Sequence, residues 1–212
     1  CNLIQDNIEI SSNDPLVTKL WTFDFAAPER FDVDAEIKFI DLMASEKKII
    51  AVGECGLDLH YVTDKDALQE QERVLRKLMQ VAKRHDIPII LHTRKAEERV
   101  FELLVEEGVI KADLHCFCGK SKLGARMAQH GYYFSIPSVV ERGSSFQKLV
   151  KELPMNRILT ETDCPYMGPD KGVRNDPRTV PRGVAAIASV KGLPVEEVKA
   201  IIRQNFRDLF GR

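Results

Sequence analysis

The amino-acid sequence predicts an α/β fold in which strand–helix units repeat around a parallel sheet and close into a barrel. Three observations carry that expectation. From residue 49 onward, short apolar runs alternate with longer stretches of helical periodicity, the rhythm of βα repeats. The length, 212 residues, suits one domain with one sizeable core, and no linker or charge run divides it, so residues 1–212 read as a single domain. Third, four polar side chains suited to holding a metal each fall at the end of a different strand. A closed barrel makes four separate strands converge better than an open sheet does, although length and local pattern alone fit both.

Taken in order, the N-terminal part carries the weaker pattern. Residues Asp6 to Ser12 read as the tail of a helix, Val17 to Phe25 as a strand and Asp34 to Lys47 as a helix. Five further strands follow at Ile49 to Gly53, Ile87 to Leu91, Ala112 to Cys116, Gly131 to Ile136 and Arg157 to Thr162. Helices lie between them. Residues 65–85 place Leu68, Leu75, Leu78, Met79 and Ala82 on one face, with Thr63 and Asp66 as the capping pair. Residues 97–107 carry Val100, Leu103 and Leu104. The last helix starts on Pro194, has Glu196 and Glu197 in its first turn, and buries Val198, Ile201, Ile202, Leu209 and Phe210.

Composition narrows the classes. Hydrophobic residues make up 44% and charged residues 30%, with 31 basic against 32 acidic side chains, which excludes a disordered chain and a membrane-embedded one. A net charge of −1 argues against nucleic acid covering a whole face but leaves room for a local basic channel. The longest apolar runs are too short to span a bilayer, and the first residues lack signal-peptide character. Five cysteines, at 1, 55, 116, 118 and 164, form no Cys-x-x-Cys pair, so a reducing, cytoplasmic setting is expected.

The four polar residues are Glu54, His92, His115 and Asp163. In parallel α/β proteins the C-terminal strand ends are where sites are built. Strand alternation turns Val52 with Glu54, Ile90 with His92, Asp113 with His115, and Glu161 with Asp163 to one face. Singly, each has a bland explanation as a hydrogen-bonded residue or a helix cap. Together they form the mixed imidazole and carboxylate set that divalent metals bind. By the same alternation Cys55, Cys116 and Cys164 point toward the helices as packing residues, and the direction of Cys118 is open.

Several ordered motifs resemble one family. They are Gly53-Glu54-Cys55-Gly56-Leu57-Asp58 followed by Tyr61, His92-Thr93-Arg94, His115-Cys116-Phe117-Cys118-Gly119 and Glu161-Thr162-Asp163-Cys164-Pro165-Tyr166. Arg174-Asn175-Asp176-Pro177 and Asn205-Phe206-Arg207-Asp208-Leu209-Phe210 complete the set. From about residue 35 to the end these are similar to TatD-family metal-dependent deoxyribonucleases. The resemblance implies a (β/α)8 TIM-type barrel of the amidohydrolase kind that hydrolyses DNA phosphodiester bonds with divalent metal. It implies that Glu54 bridges two metals, that His92 and His115 hold one, and that Asp163 ligates the other and helps activate water, so that Glu54 and Asp163 are the catalytic pair.

Basic and aromatic residues surround this set. Arg94 and Lys95 follow His92, while Lys120, Lys122 and Arg126 follow His115. If they line the mouth they hold phosphates; otherwise they form a solvated helix face. Tyr61 is a candidate for stacking on a base, and Lys171 and Arg174 lie on the loop after Asp163. Substrate binding is therefore assigned to Tyr61, Arg94, Lys95, Lys120 and Arg174.

One departure bears on the metal count. The family's first strand ends in His-x-His, but this chain has no His before His60, and Phe23 to Pro28 stands where the family's third strand carries Gly-x-His-Pro. Six strands matched to the family's order leave the first two unaccounted for, with Cys1 to Ile4 as a stub of the second. The expected barrel is missing or altered at its first one or two units, either because the chain lacks its natural start or because it is a divergent member. One metal (Mg, Mn or Zn) on Glu54, His92 and His115 is expected, with Asp163 as base or fourth ligand and a second metal in question. Rival expectations are a hydrolase of another ester or amide, and an impaired homologue that acts as a binding protein.

Overall fold

The computed structural model describes residues 32–211. The expected helix at Asp6 to Ser12, the strand at Val17 to Phe25, the stub at Cys1 to Ile4 and the stretch Phe23 to Pro28 lie outside the described residues.

Helix α1 (Val33–Ser45) opens on Asp32, whose carboxylate accepts from the N–H groups of Asp34 and Ala35, both at 3.0 Å. Strand β1 (Val52–Gly56) leads to helix α2 (Lys65–Arg84). The cap of α2 is Asp64, which accepts from Ala67 N–H at 2.8 Å, and not the expected pair of Thr63 and Asp66. With the first helical residue at Lys65, only the residue immediately before it can reach the free amides of the first turn.

The rhythm then continues as β2 (Ile89–His92), α3 (Glu97–Glu106), β3 (Ala112–His115), α4 (Ser121–Gln129), β4 (Tyr133–Pro137), α5 (Ser144–Glu152), β5 (Ile158–Glu161), α6 (Val180–Lys191) and α7 (Val195–Phe210). Pro194 precedes α7 with an extended ψ of 139°, one position earlier than expected, and Gly211 ends the helix at φ 69°.

The five strands form one parallel sheet in sequential order, β1 to β5, each joined to the next through at least one helix. This is the βα succession of a (β/α)8-type barrel. Alternation divides its faces. Val52, Ile89, Leu91, Ala112, Leu114, Phe134, Ile136 and Ile158 are buried toward the helices, against Leu75, Met79, Val100, Leu103, Leu104, Met127 and Phe146. Each large side chain so buried contributes roughly 1.5–3 kcal/mol. The alternate residues, Ile90, Asp113, His115, Ser135 and Glu161, share the other face, where polar groups accumulate toward the C-terminal ends. No helix among the described residues is long and apolar enough to cross a membrane.

Candidate metal centre

Two glycines bring β1 close to its neighbour. A Cβ on Gly53, which adopts φ +153°, would meet Ile90 Cβ and Ile90 O at 2.8 Å, and one on Gly56 would meet the carbonyl oxygen of His92 at 1.8 Å. Only residues without a side chain allow that approach. β1 ends at Gly56, three residues beyond the expected Gly53, so Glu54 sits inside the strand. The irregular β1–β2 register between Val52 and Cys55 puts Val52 in the helix-side core and Glu54 in the cleft instead of on the one face that alternation implied. His92 and His115 close β2 and β3 as expected.

Asp163 lies beyond the end of β5, where strand alternation no longer applies. It adopts φ 54°, and Cys116, just past β3, adopts φ 44°. These left-handed turns redirect both side chains. Asp163 reaches the same cleft as Glu54, His92 and His115. Cys116 lines that cleft and also packs on the core, as expected, as does Cys55, whose Sγ lies 3.9 Å from Ile90 O. Cys164 is exposed, contrary to expectation.

The predicted residues converge. His92 Nδ1 lies 3.1 Å from Glu54 Oε1, and His115 Nε2 lies 3.7 Å from both Glu54 Oε2 and Asp163 Oδ1. Each imidazole is also held by a second carboxylate that the reading of strand ends did not single out. Asp58 Oδ2 stands 3.0 Å from His92 Nε2. Glu161 Oε2 pairs with His115 Nδ1 and accepts from Ser135 Oγ at 2.6 Å. Their signal was present in the spacing, with Asp58 four residues past Glu54 and Glu161 two before Asp163. Deeper on the same face, Asp113 is 4% exposed with one carboxylate oxygen lacking a partner, and burial, then the charge of Glu161, pushes its carboxyl up to about 7.

Electrostatics follow from four carboxylates around two rings. Hydrogen bonding to Glu54 holds the His92 imidazolium above its ordinary range. Burial acts to lower His115, but the Asp163 and Glu161 carboxylates outweigh it and raise the ring to about 11. In return His92, and then the charge of His115, keep Glu54 below the usual carboxylate range in spite of burial. The arrangement therefore favours positive charge at the rings.

Mixed imidazole and carboxylate donors of this kind fit a divalent cation, which would answer the same demand for charge. Among the described residues no three such side chains already form a closed ligand set, because the ring nitrogens are turned onto carboxylates. The donor chemistry fits the metal, and its coordination would exchange ring protons for the cation.

The surrounding cleft has a volume of about 470 Å³, lined by the four residues together with Tyr61, Thr93, Arg94, Cys116, Cys118 and Tyr166. The Arg94 guanidinium lies 4.8 Å from the centre of the Tyr61 ring. Lys95, Lys120 and Arg174 are exposed and are not among the lining residues. Arg126 lies over Phe101 and 4.0 Å from Glu98, on the flank of the helices. The loop after β5 is pinned by buried Asn175, whose amide donates to the carbonyls of Thr162 and Tyr166 at 2.7 Å each, which fixes the segment carrying Asp163.

A model of the family described as TatD related DNase matches residues 23–211. The chain belongs to the TatD related DNase family. Among its TatD relatives, human deoxyribonuclease TATDN3 is 38% identical over 181 residues, covering 84% of this chain and 65% of that protein. The uncharacterized metal-dependent hydrolase YabD of Bacillus subtilis is 33% identical over 202 residues, covering 90% and 78%. The chain thus spans just under two thirds of the human relative's length. The crystal structure of a TatD homologue, YJJV from Escherichia coli K12, superposes with a TM-score of 0.77 at 27% identity, covering 84% of this chain and 71% of that one.

Proposed function

We propose that this TatD-family chain is a single hydrolase domain that cleaves phosphodiester bonds in DNA, with one divalent cation (Mg²⁺, Mn²⁺ or Zn²⁺) held by Glu54, His92, His115 and Asp163. The observation that carries this reading is the convergence of these side chains from four strand ends, with His115 Nε2 equally distant, at 3.7 Å, from Glu54 and Asp163. The names of the relatives, a deoxyribonuclease and a metal-dependent hydrolase, support it.

A cation there supplies Lewis acidity, lowering the pKa of water from ~15.7 toward ~7 and offsetting charge on phosphoryl oxygens. The chain's own groups do the rest. The Asp163 carboxylate faces the cleft and accepts the proton of the attacking water at Oδ1. Glu54 spans both imidazoles and fixes their spacing. Arg94 offers a planar fork to a phosphate, and the exposed ring of Tyr61 offers a face to a base.

The test is nucleotide release from single- and double-stranded DNA with Mg²⁺ or Mn²⁺, with and without chelator. Glu54→Ala and Asp163→Ala should each lower the rate at least ~100-fold, the scale of losing a group that acts on the transition state. Undiminished cleavage in both variants would overturn the proposal. A panel that includes phosphomonoesters and amides separates the nuclease from other hydrolases, since a preference for amides would retain the site and discard DNA as the substrate.

A further inference from the structure

We propose that Asp58 is a positioning residue that ties the cation site to the substrate wall of the cleft, so that the state of the His92 ring sets the placement of Tyr61. This inference rests on the reading of the site given above but is tested apart from it.

The two carboxylate oxygens of Asp58 serve different masters. Oδ2 lies 3.0 Å from His92 Nε2. Oδ1 accepts from the backbone N–H of His60 at 2.7 Å and of Tyr61 at 3.0 Å, forming the turn that delivers Tyr61 to the cleft. An ordinary turn of this type needs one side-chain oxygen only, so the second is committed to the imidazole. The Asp58 backbone is fixed independently, because its N–H donates to Gln71 Oε1 of α2 at 2.9 Å. The turn is bound to the same strand end as His92: Leu57 N–H donates to His92 O at 3.1 Å and Leu59 N–H to Arg94 O at 3.0 Å. Arg94 then lies over the ring of Tyr61, which is 69% exposed. A movement of His92 toward a cation is thereby passed through one rigid carboxylate to the residues of the substrate wall, whereas the hydrogen-bond and ring partners of Tyr61 are Asp58, His60 and Arg94 and not a proposed ligand.

The experiment follows the backbone amides of His60 and Tyr61 and the ring nitrogens of His92 and His115 by ¹⁵N NMR. In the cation-free protein, His92→Gln should shift the His60 and Tyr61 amides, and in an Asp58→Asn background the same substitution should leave them where they are. Titration with ZnCl₂ should move the His92 ring and the two amides together, and Asp58→Asn should weaken Zn²⁺ affinity roughly 10–100-fold, the scale of losing a group that orients a ligand. If His92→Gln leaves both amides unmoved in the otherwise unaltered chain, the coupling is wrong. If Zn²⁺ moves neither imidazole, the cation site fails instead, and the coupling is decided by the cation-free comparison alone.

Discussion

His115 shows how one side chain records the needs of its surroundings. Its ring is raised to about 11 by the carboxylates of Asp163 and Glu161, against an ordinary value near ~6.5. A group whose pKa is raised on folding contributes stability that is complete below the unfolded value and is lost as pH climbs through the folded value. In chelator, the stability advantage of the natural protein over His115→Gln should therefore shrink steadily between about pH 6.5 and about pH 11. Urea midpoints of both proteins across that range check this, and a constant difference would refute the pairing. At this scale the sequence was most informative where residues sit within strands. Glu54, His92 and His115 were legible from strand ends and spacing. Asp58, Glu161 and Ser135 were not singled out, because a residue that holds a ligand in place has no signature beyond its own spacing. Cys164 is exposed rather than packed because alternation stops at Asp163, where φ turns positive.

Among the elements, β1 is the one on which the site depends most. Its glycines let the strand lie against β2, and Gly56 has the carbonyl of His92 1.8 Å from where a Cβ would stand. Gly56→Ala must push the two strands apart, costing at least ~1–3 kcal/mol of stability on the scale of overpacking. The cost appears as a lowered urea midpoint, accompanied by weaker cation binding because His92 moves with its backbone; unchanged stability would contradict the packing described. The strands and the helices α2, α3 and α7 were legible because their apolar residues keep a clear period. Helices α4, α5 and α6 carry no individual expectation. Two of them run only nine residues, too few for a stripe to repeat, and α6 opens beside Pro181. Asn205 belongs to the closing motif, but its structural role is not legible there. It lies on the buried face of an amphipathic helix, and its amide donates to the carbonyls of Met155 and Ile158 at 2.7 Å each, docking α7 onto the start of β5.

For the whole molecule, the parallel order of β1 to β5 gathers at one end of the sheet what the sequence spreads over more than a hundred residues. The result is a cluster of carboxylates that favours positive charge on the two imidazoles and whose donors suit the exchange of ring protons for a cation. The proposed chemistry depends on that exchange. Calorimetric titration of the cation-free chain with Mn²⁺ or Zn²⁺ near pH 8, in two buffers of different ionisation enthalpy, measures it directly. The account predicts saturable binding with net proton release, weakened at least ~10-fold in Asp163→Ala. Binding of equal strength in the natural chain and the variant, or binding without proton release, would contradict it.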